Sequence, residues 1–240
     1  MAITIKSERE IELMAEAGKI LERVHNELEK ALHPGMSTKD IDTLGEEIIR
    51  SYGCIPSFLN YNGYPASICV SVNQEVVHGS LDAGVIYKGY HSDAARTHAV
   101  GEVSEEAKKL IQVTKECFFE GIKYAKAGNH LFDISGAIGR YAEERGYGVV
   151  RDLCGHGIGT ALHEAPEIPN YEVGRKGVKL RPGMTLAIEP MINIGTYEVD
   201  WLDDDWTVVT RDGSLSAHYE NTILITEGEP RILSLTCDNE

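Results

Sequence analysis

The sequence has no apolar run long enough to span a bilayer, and its first twelve residues contain no apolar core of a secretory signal. Cysteine is also scarce: the five cysteines are widely scattered and form no CxxC pair. That pattern is typical of reduced thiols in the cytosol rather than of a disulfide framework. We therefore expect a cytoplasmic protein that does not dock on membranes.

Positive charge is in short supply, with 23 Lys and Arg against 38 Asp and Glu and a formal net charge of −15. This balance argues against nucleic acid as a main partner and against binding to anionic lipids, because both depend on Lys and Arg. The hydrophobic fraction of 42% is ordinary for a globular protein. No low-complexity linker divides the chain, so we expect one domain over residues 1–240 and a monomer.

Five potential metal ligands occur in the order Asp, Asp, His, Glu, Glu, each within a distinctive phrase. They are Asp82 and Asp93 in LDAGVIYKGYHSDAART, His156 in CGHGIG, Glu189 in TLAIEPMI and Glu220 in SAHYENTILI. Brought together, the four carboxylates would carry four negative charges that only cations could offset. Oxygen-rich ligand sets with one imidazole suit divalent metals, and four carboxylates can bridge two of them. The pattern favours a two-metal hydrolase.

The two aspartates flank a predicted β-hairpin centred on Tyr87-Lys88-Gly89. If residues 87 and 88 form the loop, Asp82 lies directly opposite Asp93, with Cβ atoms roughly 4.5–5.5 Å apart. Like charges at that distance are destabilising unless something positive lies between them. The alternative from these residues alone is that Asp82 is a turn residue and Asp93 a surface residue of an acidic protein.

The two glutamates interrupt segments that otherwise have the pattern of buried strands, where an unpaired carboxylate is costly. Alternation places Glu189 on the face of Thr185 and Ala187, and Pro190 then ends the strand. The same alternation aligns residues 216, 218, 220 and 222. The glycines around His156 allow a close approach of the backbone to a charged group. A phosphate-binding loop is the competing interpretation, but no Lys-Ser/Thr pair follows.

Helix signals occur twice in the same order. Ser7 with Glu10, and Ser37 with Asp40, are capping boxes that predict two helices, the second ending at Gly53. Ser104 predicts a third helix that ends at Gly128, and a fourth is expected from about Asp133 to Gly146. Each helix pair is followed by strands that carry ligands. We expect a duplicated architecture with the site between the halves.

The chain resembles the methionine aminopeptidases, in their short bacterial type I form, along nearly its whole length. The phrases that carry the resemblance match in order and spacing: HSDAART, GHGIGTALHEAP, LRPGMTLAIEPM and WTVVTRDGSLSAHYENTILIT. Four separate phrases are far more specific than one. The resemblance implies an α+β "pita-bread" fold, a curved antiparallel sheet flanked by helices with two pseudo-symmetric halves. It also implies removal of the initiator methionine from nascent polypeptides, with a preference for a small second residue.

The resemblance assigns roles to individual residues. Asp93 and Glu220 would bridge two divalent metals (Mn, Fe, Co or Zn), Asp82 would chelate one, and His156 with Glu189 would complete the other. Glu189 would move the proton, while His163 and His78 would contact the reacting peptide. The methionine pocket or its rim would be lined by Tyr61, Tyr64, Cys69, His78, Leu162 and Trp206. Relatives often have phenylalanine at the position of Leu162, so the pocket wall is expected to differ there.

The chain departs from the family pattern between His78 and Asp82. About a dozen residues, including most of a strand that leads into the first aspartate, are missing there. We therefore expect Asp82 to be the least firmly held ligand. Two alternatives remain open: an impaired or non-catalytic protein with this fold, and another pita-bread aminopeptidase such as a proline-directed one. Association with the ribosome is a further expectation from the activity.

Overall fold

Four helices begin close to the predicted caps. A computed structural model describes residues 3–73, 75–76 and 80–235. Its helices are α1 (Glu8–Ala31), α2 (Thr38–Ser51), α3 (Glu105–Ile122) and α4 (Leu131–Glu143), with a short 3-10 helix at Tyr61–Gly63. Ser7, Ser37 and Ser104 are the N-caps of the first three, which confirms their predicted starts.

The predicted boundaries are less accurate at the second helix pair. Helix α3 ends at Ile122 and not at Gly128, because turns occupy the residues between them. Helix α4 begins two residues before Asp133, whose side chain accepts a hydrogen bond from the His130 backbone N–H at 2.8 Å. Asp133 is therefore the third residue of its helix rather than the first. Its capping partner is a histidine, a residue type that gives little sequence signal for a helix start.

Short strands make up the rest of the fold, many of them only two or three residues long. In chain order they are β1 (Ile55–Pro56), β2 (Ile68–Val70), β3 (Leu81–Tyr87), β4 (Tyr90–Arg96), β5 (Gly148–Val149), β6 (Gly155–Gly157), β7 (Glu164–Ile168), β8 (Thr185–Ile188), β9 (Met191–Asn193), β10 (Val199–Trp201), β11 (Val208–Thr210), β12 (Ser216–His218), β13 (Asn221–Leu224) and β14 (Arg231–Ile232). Within the part of the chain that the structure describes, all of the strand pairings are antiparallel.

Each helix pair packs on the strands of its own half. Helices α1 and α2 bury Leu21, Val24 and Ile49 against the sheet formed by β1 to β4. Helices α3 and α4 bury Phe118 and Ile138 against the strands of the second half. Those strands form a five-stranded sheet ordered β14-β13-β8-β6-β7 and a three-stranded sheet ordered β12-β9-β5. The predicted repetition of helix pair and strands is present.

The two halves meet along β4 and residues 218–222. Backbone hydrogen bonds join Ala95 and Glu220 in both directions, with N–O distances of 3.0 and 3.4 Å. The Thr222 hydroxyl donates to the Asp93 carbonyl at 2.9 Å and accepts from the Asp93 N–H at 3.0 Å. Side chain and backbone therefore fasten the segment that carries Asp93 to the one that carries Glu220.

Candidate active site

The hairpin of β3 and β4 carries both aspartates, but not in the predicted register. Its two-residue loop is Lys88-Gly89, both at positive φ, and not residues 87 and 88. Asp93 consequently pairs with Gly84, while Asp82 pairs with Ala95. The prediction that the aspartates lie directly opposite each other is wrong by two residues. Because the shift is even, both side chains stay on one face, as diagonal neighbours.

The start of β3 is short but well paired. Leu81 is the only residue of β3 before Asp82, in keeping with the shortened connection. Asp82 is nevertheless paired on both sides, with Cys69 of β2 and with Ala95 of β4. Strands β2 and β4 therefore hold the Asp82 backbone on both sides, although only one residue of its own strand precedes it. His78 lies outside the described residues.

Each of the two glutamates lies just beyond the end of a strand. Glu189 directly follows β8, and Pro190 ends the strand as predicted. Glu220 lies between β12 and β13, because the chain leaves the three-stranded sheet after His218 and joins the five-stranded sheet at Asn221. The single continuous strand predicted for SAHYENTILI is therefore wrong. A change of sheet is a tertiary event that alternation does not signal.

His156 stands at the centre of β6, between two glycines that a side chain could not replace. A Cβ atom at Gly155 would collide with the Ala187 carbonyl, and one at Gly157 with the Ala165 carbonyl. His156 Nδ1 lies 2.9 Å from the Gly157 carbonyl oxygen, which is consistent with Nδ1 carrying the proton. Nε2 is then the nitrogen that remains for a metal.

The five candidate ligands converge on one place. His156 Nε2 lies 3.5 Å from Glu189 Oε1 and 3.9 Å from Asp93 Oδ2. One ligand atom each from Asp93, His156 and Glu220 falls within a 4.8 Å cluster that could hold a metal ion. The fifth residue, Asp82, contacts Asp93 through its side chain.

A sixth side chain belongs to the same neighbourhood. His218 Nε2 lies 3.8 Å from Glu189 Oε2 and 4.0 Å from Glu220 Oε2, and these three residues form a second cluster with metal-ligand spacing. Its side chain is fully buried. The shared strand face of His218 and Glu220 was the only sequence signal for this contact.

Burial of so much negative charge disturbs the protonation of the whole group. It raises the pKa of Asp82, Glu189 and Glu220 well above their usual values, and the nearby Asp93 carboxylate adds to each shift. Burial also raises the pKa of Asp93 to about 8. For His156, burial lowers the pKa to about 3, which keeps the imidazole neutral and able to bind a metal.

The carboxylates have unused acceptor capacity. Among the described residues, Oδ1 of Asp82, Oδ1 of Asp93 and Oε1 of Glu220 are buried without a hydrogen-bond partner. Buried acceptors in that state are costly, and carboxylate oxygens are ligands for hard and borderline divalent cations. A divalent metal fits this arrangement, since it would bind the orphaned oxygens and offset the charge that raises their pKa values.

A cavity of about 320 Å³ opens onto the ligands. Five of the six side chains expected in the methionine pocket line it, and the sixth, His78, lies outside the described residues: Tyr61, Tyr64, Cys69, Leu162 and Trp206. Tyr64 packs edge-on against Trp206, with ring centroids 5.3 Å apart. Cys69 and Leu162 are buried, so one wall is apolar and sulfur-containing. Seven further residues of the lining were not predicted, because nothing in the sequence distinguishes them from ordinary neighbours of the motif residues: Phe58, Leu153, Cys154, Met191, Trp201, Asp205 and Val208.

His163 stands at the boundary between the cavity and the ligands. Its ring centroid is 4.2 Å from that of His156, and its Nδ1 lies 3.0 Å from the Tyr61 hydroxyl oxygen. Burial by its neighbours lowers the pKa of His163, so that the ring is neutral near pH 7. A neutral ring held by Tyr61 can donate a hydrogen bond to a polarised oxygen in the cavity.

Comparison with known proteins agrees with this geometry. Residues 12–227 match the profile described as Metallopeptidase family M24. A methionine aminopeptidase of Clostridium acetobutylicum is 55% identical, with 97% of this chain and 99% of the relative aligned. The chain belongs to the methionine aminopeptidases of metallopeptidase family M24. Family membership makes its chemistry metal-dependent peptide-bond hydrolysis.

Solved structures match the fold as closely. The methionine aminopeptidase of Thermotoga maritima superposes with a TM-score of 0.95 at 44% identity, covering 98% of this chain and 100% of that one. The prolidase of Pyrococcus horikoshii superposes with a TM-score of 0.77 at 22% identity, and 63% of its chain is covered. The predicted pita-bread fold is confirmed, and the alternative of a proline-directed enzyme is not favoured.

The alignment also bears on the shortened connection. It extends over 247 positions in the Clostridium comparison, more than the 240 residues of this chain. The relative therefore contains residues that this chain lacks. The place of the missing segment, between His78 and Asp82, stays a prediction from the sequence.

None of the helices among the described residues combines the length and the apolar character that spanning a bilayer requires.

Proposed function

We propose that this protein removes the N-terminal methionine from nascent polypeptides at a centre of two divalent metal ions, held by Asp82, Asp93, His156, Glu189 and Glu220. The observation that carries the proposal is the convergence of four buried carboxylates and one neutral imidazole on a cavity lined by aromatic and sulfur-containing side chains. A non-catalytic relative would have no need to keep so costly a charge cluster.

The ligand chemistry suggests how the five candidate ligands would share the two metal ions. Asp93 and Glu220 lie on the segments at which the two halves meet, β4 and residues 218–222, and we assign both carboxylates to both ions. Asp82 would hold one ion through its oxygens, and His156 through Nε2 and Glu189 through its oxygens would hold the other. When bound, the ions supply Lewis acidity that lowers the pKa of water and polarises the scissile carbonyl. Carboxylate, imidazole and water ligands are compatible with Mn, Fe, Co or Zn.

The chain's own groups would bind the substrate and move its proton. We assign Glu189 to accept a proton from the attacking water and to deliver it to the leaving amine. The ring of His163, oriented by Tyr61, donates a hydrogen bond to the scissile carbonyl as negative charge develops there. His78 is assigned to the backbone of the substrate by the family resemblance alone.

Methionine would occupy the apolar part of the cavity. Thioether sulfur makes favourable contacts with ring edges, which Tyr64 and Trp206 offer. The free amino group of the substrate would dock at the metal centre, so that only an N-terminal residue is cleaved. Nascent chains are then the natural substrates. We further propose one catalytic domain over residues 1–240 that acts as a monomer in the cytoplasm, close to the ribosome.

A peptide panel tests the activity. With Mn²⁺ present, the protein should release the first residue of Met-Ala-Ser readily, of Leu-Ala-Ser far more slowly, and of N-acetyl-Met-Ala-Ser not at all. The acetylated peptide is the control, because acetylation blocks the free amino group and leaves the peptide sequence unchanged. Equal release from the Met- and Leu-led peptides would overturn the methionine specificity.

A further inference from the structure

The N-terminal segment reaches across the molecule to the loop that carries His163. Lys6 Nζ lies 2.7 Å from Glu164 Oε2, and the two side chains are only 4% and 12% exposed. The Thr4 hydroxyl donates to the same oxygen at 2.6 Å. The Lys6 backbone N–H donates to the Gly183 carbonyl at 2.8 Å, which fixes the segment just before α1 begins. Residues separated by 158 positions are therefore joined at one partly buried carboxylate.

The other oxygen of Glu164 holds the loop itself. Glu164 Oε1 accepts hydrogen bonds from the backbone N–H groups of Thr160 at 2.9 Å and Ala161 at 3.3 Å. A Cβ atom at Gly159 would collide with Lys6 and Glu164, so the loop passes the ion pair in direct contact. The Gly159 carbonyl also accepts from the His91 N–H at 2.8 Å. The loop is thus clamped immediately before His163.

A buried ion pair is expensive to form unless its remaining hydrogen-bonding capacity is used, as it is at Glu164. The two residues that follow the clamped backbone are Leu162, which is 2% exposed in the cavity wall, and His163. We infer that Lys6 and Glu164 are positioning residues for His163. This inference rests on the role proposed for His163 above.

The physical basis is the short distance over which His163 must act. A displacement of about 1 Å at a catalytic contact can cost about 10²-fold in rate. Removing the Lys6 ammonium leaves the Glu164 carboxylate buried without its cation. The carboxylate must then turn towards water or take up a proton, and either change weakens its hold on the N–H groups of Thr160 and Ala161.

A kinetic double-mutant cycle separates positioning from simple stabilisation. Lys6→Met, His163→Ala and the double variant are compared at full Mn²⁺ loading with Met-Ala-Ser as substrate. Lys126→Met is the matched control, because it removes the same group from an exposed pair with Glu229. We expect Lys6→Met to lower kcat/KM by about tenfold or more, Lys126→Met to leave it unchanged, and the double variant to match His163→Ala within about twofold.

Imidazole NMR signals give a readout that does not depend on turnover. The signals of His163, assigned with His163→Ala, should shift in Lys6→Met and stay in place in Lys126→Met. Glu164→Gln keeps an oxygen for the two N–H groups but loses the charge, and it should show a smaller effect of the same kind. It replaces Lys6→Met in the cycle if the latter fails to fold.

Three outcomes would overturn the inference. One is parental kcat/KM and unchanged His163 signals in Lys6→Met with only a lower melting temperature. Another is a rate loss from Lys6→Met that persists undiminished when His163 is already alanine. The third is an equal loss in the Lys126→Met control. If the parent releases no methionine, the proposed function fails, and the His163 signals alone then decide whether Lys6 and Glu164 position that ring.

Discussion

At the scale of single residues, the chemistry of this protein centres on carboxyl groups that the fold places where they are least stable. Asp93 is 3% exposed and Glu220 is 2% exposed, yet each has a buried oxygen without a hydrogen-bond partner among the described residues. Natural proteins retain such groups where function requires them, because apolar replacements would be more stable. We propose that these two residues are retained to bind a cation.

Glu189 is the residue whose assigned role is easiest to isolate. Glu189→Gln keeps the side-chain volume but removes the proton acceptor and weakens one metal bond. We expect turnover to fall by at least ~10²-fold, the lower range for a general acid–base group. Glu167→Gln, an exposed change on β7 opposite His156, is the control and should retain parental turnover. Near-parental turnover of Glu189→Gln with full metal content would refute the role.

The raised pKa values also predict how stability depends on pH. Asp93 has a pKa of about 8 in the folded protein, against about 3.9 when unfolded. Between these two pH values Asp93 is protonated in the metal-free folded protein but ionised in the unfolded chain. Its contribution to the free energy of unfolding is therefore present at low pH and is lost as pH rises through about 8.

Metal-free protein should therefore lose about 1 kcal/mol of stability from Asp93 alone between pH 7 and 8.5, measured by urea unfolding. The other three raised carboxylates act in the same direction. Saturating Mn²⁺ should abolish the decline, because bound metal displaces the protons. Asp93→Asn should make the decline smaller in the metal-free protein, with the other three carboxylates accounting for the remainder. A metal-free protein that becomes more stable over this pH interval would contradict the proposed charge state.

At the scale of secondary-structure elements, the sequence predicted the starts of helices more reliably than the pairing of strands. The first three helix starts were predicted, because a capping residue acts within one turn of its own helix. The register of the β3–β4 hairpin was not, since the loop places Lys88 at φ 49°, and lysine gives no sequence signal for that conformation. The contact between Lys6 and Glu164 could not be predicted either, because it joins segments with no local relation.

The same hairpin loop offers a stability test. Gly89 has φ 86° and open space around its Cα, so alanine would be strained by backbone conformation and not by crowding. Gly89→Ala should destabilise the protein by about 1 kcal/mol in urea unfolding. Gly228→Ala is the control, because that glycine has open space and no positive φ. Equal stability of the two variants would show that the Lys88-Gly89 turn is not the one described.

At the scale of the whole molecule, the sequence predicted which carboxylates and which histidine come together, but it did not predict the surroundings of the site. The five candidate ligands follow from motif order and from family resemblance, and the structure brings their side chains together. Much of the cavity wall was missed, because Leu153, Met191 and Val208 come from segments that meet only through the packing of the two halves. His218 was missed as a close neighbour of Glu189 because the chain changes sheets beside it.

The central claim is that one cluster of five ligands binds two ions and thereby drives methionine release. The most direct test is to titrate Mn²⁺ into metal-free protein while measuring bound metal and methionine released from Met-Ala-Ser in the same samples. We predict no release without metal and a rise that saturates near two bound ions per chain. Asp93→Asn should lose both metal binding and release. Methionine release that persists in the metal-free protein, or two tightly bound ions without any release, would contradict the account.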